Sequence, residues 1–181
     1  SARDRVYRMA YNTPLVEEPP LTGRFGGLIL SKLENLQNTG SFKIRGAANK
    51  VLSLDRASIR GVVAASAGNH ARGVARASRL AGLPATLVMP IWAPVVKSSA
   101  ALREGGDRTR ILFHGESFDD AYAYALDLAG ESGFAMVHPF DGPLVIAGQG
   151  TIGLEIAEEL PDIDAVLVPV GGGGLIAGIA A

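Results

Sequence analysis

The stretch from Gly61 to Met89, GVVAASAGNHARGVARASRLAGLPATLVM, decides the fold class of the chain. Two short apolar runs of β-type composition, Gly61–Ala65 and Ala85–Met89, flank a longer segment with helical period. A strand, a helix and a second strand in this order form a parallel pair joined by a right-handed crossover. The stretch therefore predicts an α/β fold built on a parallel sheet.

The same alternation extends in both directions along the chain. Further candidate strands are Leu28–Leu33, Arg110–Phe113, Ala135–His138 and Ala165–Pro169. The clearest helical pattern is Ser117–Ala129, with Ser117 as its N-cap, and Pro94 opens another helix that Gly105 and Gly106 end. Ligands of such sheets bind beyond the carboxyl ends of the strands, so the strand-to-helix loops are the candidate sites.

Composition excludes several classes of protein. With 17 basic and 18 acidic residues the net charge is −1, which argues against a general nucleic-acid binder. The absence of cysteine excludes disulfides, thiolate metal sites and cysteine nucleophiles, and the three histidines lack metal-ligand spacing, so we expect no metal. No secretory or membrane segment is recognisable, which predicts a cytoplasmic protein without a membrane partner.

The four glycines Gly171–Gly174 follow the apolar run 165–170 and precede a helix start. Without Cβ atoms, their N–H groups can turn toward one point, and the helix dipole adds positive potential, which suits a phosphate. The loop matches neither a Walker A sequence nor a dinucleotide fingerprint, so the pattern favours a single phosphate monoester. The alternative is a flexible turn.

Two further loops combine reactive or hydrogen-bonding residues. Lys43 begins a helical pattern between Phe42 and Ile44, and partial desolvation there would lower the pKa of its amine, as Schiff-base chemistry needs. Its alternative is a solvated helix lysine. The loop Ser66–His70 offers N–H groups and a hydroxyl at a helix start, suited to a carboxylate, or is an ordinary helix cap. His70 is either a base or a structural residue.

Together these segments resemble the threonine ammonia-lyase (threonine dehydratase) and serine racemase group of fold-type II pyridoxal-phosphate enzymes. The matching stretches are KLENLQNTGSFKIRGA (32–47), AASAGNH (64–70), HPFD (138–141), IAGQGT (146–151) and VPVGGGGLIAG (168–178). They keep the family's order and spacing from about Arg5 to the last residue. The resemblance implies a tryptophan-synthase-β-like α/β fold with parallel twisted sheets.

The resemblance also implies a role for each candidate residue. Lys43 would bind pyridoxal 5′-phosphate covalently and then act as the base at the substrate Cα. Phe42 would pack on the cofactor ring, and Asn69 would hydrogen-bond its 3-hydroxyl oxygen. The substrate carboxylate would be held by Ser66, Ala67, Gly68, Asn69 and His70, largely through backbone donors. The cofactor phosphate would be held by Gly171, Gly172, Gly173, Gly174 and Leu175.

The implied reaction converts a small β-hydroxy amino acid, L-threonine or L-serine, to a 2-oxo acid and ammonia. Racemases of this group carry a serine base where this chain has Ala67, which favours elimination, although the adjacent Ser66 remains a second candidate catalytic residue. The alternatives are a serine racemase, a hydroxyaspartate-type dehydratase, or a non-catalytic remnant that binds the cofactor or an amino acid. Arg72 departs from the family, where dehydratases often have glutamine.

The family pattern divides the chain into two lobes. Residues 1–59 and 144–181 would form a large cofactor-binding domain, and residues 60–143 a small domain that binds the substrate carboxylate. Family domains continue well past the glycine loop, so we expect a complete small lobe, an incomplete large lobe and an exposed apolar edge at Ala165–Pro169. The chain alone should then be poorly active. The resemblance further implies a homo-oligomer and a role in amino-acid metabolism such as isoleucine biosynthesis.

Overall fold

The computed structural model describes all residues, 1–181. Its helices are α1 Ala2–Val6, α2 Pro19–Phe25, α3 Lys43–Leu52, α4 Asn69–Ala81, α5 Val95–Gly105, α6 Phe118–Ser132, α7 Pro143–Glu159 and α8 Gly174–Ile179. Its strands are β1 Leu15–Glu17, β2 Leu30–Lys32, β3 Gly61–Ala65, β4 Ala85–Met89, β5 Thr109–Phe113 and β6 Phe134–Met136. Short 3₁₀ helices cover 34–36, 38–40 and 106–108.

A parallel four-stranded sheet in the order β5-β4-β3-β6 forms the centre of the fold. Side chains alternate between its faces, so Val62 and Ala64 of β3 pack toward α4 and α5, whereas Val63 and Ala65 pack against α6. Burying apolar residues on both faces requires helices on both sides, as strand–helix alternation provides. The predicted α/β fold with a parallel sheet is confirmed.

The main apolar core runs without interruption from the sheet into α3. Ile44, Ala47 and Ala48 of α3 belong to the same buried cluster as the inner residues of α4. Gly73 permits this close approach, because a Cβ at that position would lie 3.2 Å from the carbonyl oxygen of Lys43. The predicted division at 59/60 and 143/144 stays a prediction, and one continuous core crosses it.

The helix α7 packs closely against the start of α3 and against the last residues of α8. A Cβ on Gly148 would lie 2.6 Å from the carbonyl oxygen of Arg45 in α3, and one on Gly150 would lie 2.6 Å from the carbonyl oxygen of Gly178 in α8. Small residues therefore let three helix backbones approach one another. No helix of the chain, including the 17-residue α7, combines the length and apolar character needed to cross a bilayer.

The sequence signals at helix ends are confirmed. Ser117 caps α6: its hydroxyl accepts the N–H of Asp120 at 3.1 Å, and the Asp120 carboxylate accepts the N–H of Ser117 at 2.9 Å. Pro94 directly precedes α5, which ends at Gly105 before Gly106 turns the chain at φ 64°.

Two strand predictions require correction. The predicted strand Leu28–Leu33 shortens to Leu30–Lys32 and pairs antiparallel with Leu15–Glu17, a strand that the sequence pattern did not predict. The predicted strand Ala165–Pro169 is wrong: residues 164–172 make no backbone hydrogen bond within the chain, and Leu167 is 93% exposed. An apolar run reports a tendency to be buried, but a strand also needs a neighbour whose N–H and C=O groups pair with its own.

Candidate active site

Lys43 is the first residue of α3 and follows a tight turn in which Thr39 and Gly40 both have positive φ, 68° and 73°. Its half-buried side chain donates a hydrogen bond from Nζ to the carbonyl oxygen of Pro139 at 2.6 Å, and Nζ lies 5.2 Å from the centre of the Phe42 ring. Burial lowers the pKa of this amine. Lys43 is therefore not a solvated surface lysine, and a larger fraction of it is neutral at a given pH.

The glycine loop, Gly171–Gly174, is shaped by Phe140. A Cβ on Gly172 would overlap the Phe140 ring, and a Cβ on Gly174 would overlap the Phe140 carbonyl oxygen. Gly173 adopts φ 84°, which a side chain rarely tolerates. None of the backbone N–H groups from Gly171 to Leu175 has an acceptor within the chain, so the loop presents a row of unpaired donors.

Lys43 and the glycine loop line one cavity of about 320 Å³. Its lining residues are Phe42, Lys43, Phe140, Gln149, Pro169, Val170, Gly171, Gly172, Gly173, Gly174 and Leu175. It offers an amine, an aromatic ring and a row of N–H donors, which fit an aldehyde-bearing ring with an anionic tail. A larger depression of about 570 Å³, between Tyr7 and Glu104, contains none of the predicted site residues.

The loop Ser66–His70, at the carboxyl end of β3, does not line this cavity. The Ser66 hydroxyl accepts the N–H of Gly68 at 3.1 Å and so shapes the loop. The backbone N–H groups of Ala67, Asn69, His70 and Ala71 have no acceptor within the chain. Because they open the 13-residue helix α4, their donors and the helix dipole suit a carboxylate.

The side chain of His70 is a structural element of this loop. It is 3% exposed, and its Nε2 donates to the carbonyl oxygen of Val137 at 2.9 Å, which fixes the neutral tautomer. Burial lowers its pKa to about 4, and the charges of Lys43 and His138 act in the same direction. Of the two interpretations left open by the sequence, the geometry favours the structural one, which leaves only the backbone N–H of His70 to contact a substrate.

A buried ionic network holds α3 against α7. The Arg45 guanidinium lies between Glu34, at 2.7 Å, and Glu155, at 2.5 Å, while Lys32 Nζ lies 2.9 Å from Glu155. Arg45 and Glu155 are fully buried. Because Arg45 follows Lys43 by two residues, this network fixes the helical turn that carries the amine.

The sequence patterns predicted no role for Pro139, Phe140 or Gln149, although all three lie within the stretches that resemble the family, 138–141 and 146–151. The Pro139 contact is made by a backbone carbonyl, which leaves no side-chain signal. For Phe140, which shapes the glycine loop, the one signal in the sequence is an aromatic residue in a turn. For the buried Gln149, it is a glutamine within an apolar helix pattern.

Comparison with known proteins identifies relatives along nearly the whole chain. The family model described as "Pyridoxal-phosphate dependent enzyme" matches residues 6–181. An L-threonine ammonia-lyase of Thermotoga maritima is 51% identical over 179 residues, covering 98% of this chain and 44% of that protein. An L-threonine ammonia-lyase of Geobacter sulfurreducens is 49% identical, covering 99% of this chain and 44% of that protein.

Solved structures give the same result. The processed form of threonine deaminase isoform 2 from Solanum lycopersicum superposes with a TM-score of 0.91 at 46% identity, covering 97% of this chain and 48% of that one. Maize serine racemase superposes with a TM-score of 0.92 at 37% identity, covering 99% and 54%. The chain therefore spans about half the length of the relatives it matches.

Proposed function

The chain belongs to the family of pyridoxal-phosphate-dependent enzymes, as its motifs predict, and from this membership we propose that it carries the reactive lysine and the phosphate loop of an L-threonine ammonia-lyase. The proposed reaction converts L-threonine, or L-serine, to a 2-oxo acid and ammonia. The observation that carries the proposal is that Lys43 Nζ and the loop Gly171–Gly174 line the same cavity. Relatives named L-threonine ammonia-lyase support the choice of substrate.

When bound, pyridoxal phosphate supplies an electron sink that makes the Cα–H of an attached amino acid acidic. Lys43 would hold the cofactor covalently through Nζ, with the Phe42 ring packed against it. The same amine would then take the proton from the substrate Cα, a task favoured by its lowered pKa. The Pro139 carbonyl orients Nζ, because it accepts one of the amine hydrogens.

The unpaired N–H groups at the start of α4 would bind the substrate carboxylate. Gly73, one turn after Asn69, packs on the backbone of Lys43, so the carboxylate loop and the reactive amine belong to neighbouring helices in close contact. Holding the carboxylate fixes the direction of the Cα–H bond relative to the base. Asn69 has an exposed side chain without a partner in the chain, which leaves it free to contact the cofactor.

Ala67 favours elimination over racemisation. A racemase needs a second base on the face opposite the lysine, and the methyl group of Ala67 accepts no proton. The neighbouring Ser66 hydroxyl already accepts the N–H of Gly68 at 3.1 Å, and this hydrogen bond holds the hydroxyl against the loop backbone. Chiral analysis of L-serine incubations tests this directly: elimination yields pyruvate without D-serine, and accumulation of D-serine would support a racemase.

The central experiment measures covalent cofactor binding by absorbance. The 181-residue chain should develop the band of lysine-bound pyridoxal phosphate, and Lys43→Ala should lose it while Lys50→Ala, on the same helix, keeps it. A band that persists in Lys43→Ala would overturn the proposal. Assays of 2-oxo acid from L-threonine, on this chain and on longer proteins that contain it, then separate a cofactor-binding unit from a complete enzyme.

We also propose that the protein acts on its substrate as a homo-oligomer in the cytoplasm, within amino-acid metabolism such as isoleucine biosynthesis. Exposed apolar side chains support association: Trp92, in the loop before α5, and Val95 and Val96, its first two residues, are each at least 74% exposed. Light scattering of the purified protein tests the oligomer, and cell fractionation tests the location.

A further inference from the structure

Gln149 is a buried glutamine whose two polar ends have different surroundings. It lies on α7 beside the start of α3 and is 1% exposed. Its Oε1 accepts the N–H of Gly46 at 3.1 Å. Because a backbone N–H can only donate, this bond identifies the oxygen and so fixes which end of the amide is the NH₂ group.

The NH₂ group of Gln149 has no acceptor within the chain. The nitrogen is not among the completely buried side-chain atoms that lack a partner, so it keeps some accessible surface although the residue as a whole is buried. Gln149 lines the 320 Å³ cavity, so its unpaired donor and that cavity lie together. The same cavity also presents the N–H donors of the glycine loop and the amine of Lys43.

We propose that Gln149 is a further cofactor-binding residue, whose side-chain amide donates a hydrogen bond to a phosphate oxygen held by the glycine loop. This inference rests on the proposed binding of pyridoxal phosphate. Several donors at one cavity favour an anionic ligand, and a phosphate has enough oxygens to accept from both the loop and the amide. Gln149 would thereby connect the phosphate to the backbone of Gly46, three residues after Lys43. The residues that hold the two ends of the cofactor, its phosphate and its lysine-bound carbon, would then be in direct contact.

The test compares two ligands that differ only in the phosphate. Binding of pyridoxal 5′-phosphate and of pyridoxal is measured by absorbance titration of the wild type, Gln149→Glu and Gln149→Met. The carboxylate introduced by Gln149→Glu would still accept the N–H of Gly46 but would face the phosphate with an oxygen. We expect this variant to weaken pyridoxal phosphate binding by about tenfold or more and to change pyridoxal binding much less. Gln149→Met removes the NH₂ donor without adding a charge. It should therefore weaken pyridoxal phosphate binding less than Gln149→Glu does, and again change pyridoxal binding much less.

The matched control is Gln37→Glu. Gln37 is also a buried glutamine, but its Oε1 accepts from Tyr11 N–H and its Nε2 donates to the Tyr11 carbonyl, away from the cavity. This variant should leave the ratio of the two affinities unchanged. If Gln149→Glu does not fold, the ratio of the affinities of Gln149→Met for the two ligands tests the inference.

The outcomes separate this inference from the proposed function. Equal loss of affinity for both ligands, or no loss, would mean that Gln149 only supports α3, and the inference is then wrong while cofactor binding stands. A wild-type chain that binds neither ligand through Lys43 would instead overturn the proposed function itself.

Discussion

The Nζ of Lys43 donates a hydrogen bond to the carbonyl oxygen of Pro139 at 2.6 Å, although 96 residues separate them in sequence. The flanking residues of the same turn contact the other two loops of the site. Val137 accepts the His70 side chain with its carbonyl oxygen, and Phe140 packs against Gly172 and Gly174. The turn 137–140 thus contacts the amine of Lys43, the loop Ser66–His70 and the glycine loop.

Replacing Lys43 should abolish covalent cofactor binding and reduce any deamination by at least about 10²-fold, because in the proposed function the same amine would bind the cofactor and remove the proton. In the wild type, the rate of covalent binding should rise with pH through a midpoint below 10.5, since burial lowers the pKa of Lys43 and only the neutral amine attacks a carbonyl. Stopped-flow absorbance across a pH series measures this midpoint. A midpoint at or above 10.5 would contradict the desolvated environment.

Gly174→Ala should disrupt the glycine loop, because the added Cβ would overlap the Phe140 carbonyl oxygen, which is backbone and cannot turn aside. Overpacking of this kind costs about 1–3 kcal/mol in unfolding free energy, and displacement of the loop should also weaken pyridoxal phosphate binding. Gly171→Ala is the matched control, since a Cβ added there would have nothing within 4 Å and the φ of Gly171 is not positive. Urea unfolding and absorbance titration compare the two. Equal losses of unfolding free energy in the two variants would show that the Phe140 carbonyl does not constrain the loop.

The parallel sheet was predictable because its signals are local. The apolar runs at Gly61–Ala65 and Ala85–Met89 are strands as predicted, and Ser117 caps its helix with the Asp120 carboxylate three residues later. The strand predicted at Ala165–Pro169 from its apolar composition is wrong, because backbone pairing requires a neighbouring strand and does not depend on the segment alone. The strand Leu15–Glu17, which pairs with Leu30–Lys32, has too few residues for a periodic signal.

Much of the candidate site was also predictable, since Lys43 and the four glycines stand out in strand-to-helix loops. Their shared cavity is consistent with the roles predicted for them, which stay predictions until tested. The contacts that orient Lys43 could not be predicted, because they join residues far apart in sequence. The acceptor on Pro139 is a backbone atom, and the partners of Arg45 lie 11 and 110 residues away.

Glu155→Ala should destabilise the fold by about 3–5 kcal/mol, because it removes the fully buried carboxylate that Arg45 and Lys32 share and leaves Arg45 with Glu34 as its one carboxylate partner. Glu158→Ala, on the same helix, removes an exposed pair with Arg3 and should change stability little. Urea unfolding at neutral pH measures both variants. Similar small losses in the two would mean that the buried network does not stabilise α3.

The same network predicts part of the acid sensitivity. Burial acts to raise the pKa of Glu155, but hydrogen bonds from Arg45, Tyr7 and Lys32 outweigh it and hold the pKa below 4.5. A carboxylate with a lowered pKa contributes stability above its unfolded value, and this contribution is lost as the pH falls through the lowered value. Glu155→Gln should therefore show a shallower loss of stability below pH 4.5 than the wild type. An unchanged slope in that range would assign the acid sensitivity to other groups.

His70 should make stability depend on pH over a higher range. Burial lowers its pKa from 6.5 to about 4, so between these values the unfolded chain binds a proton that the folded chain does not. The unfolding free energy should then rise with pH from about 4 to 6.5 and level off above 6.5, because the buried site accommodates the neutral ring and disfavours the charged one. His70→Gln keeps a donor for the Val137 carbonyl but does not titrate, and urea unfolding should give it a flatter profile in this window. If His70→Gln retained the full slope, the imidazole would not be the group that the fold holds neutral.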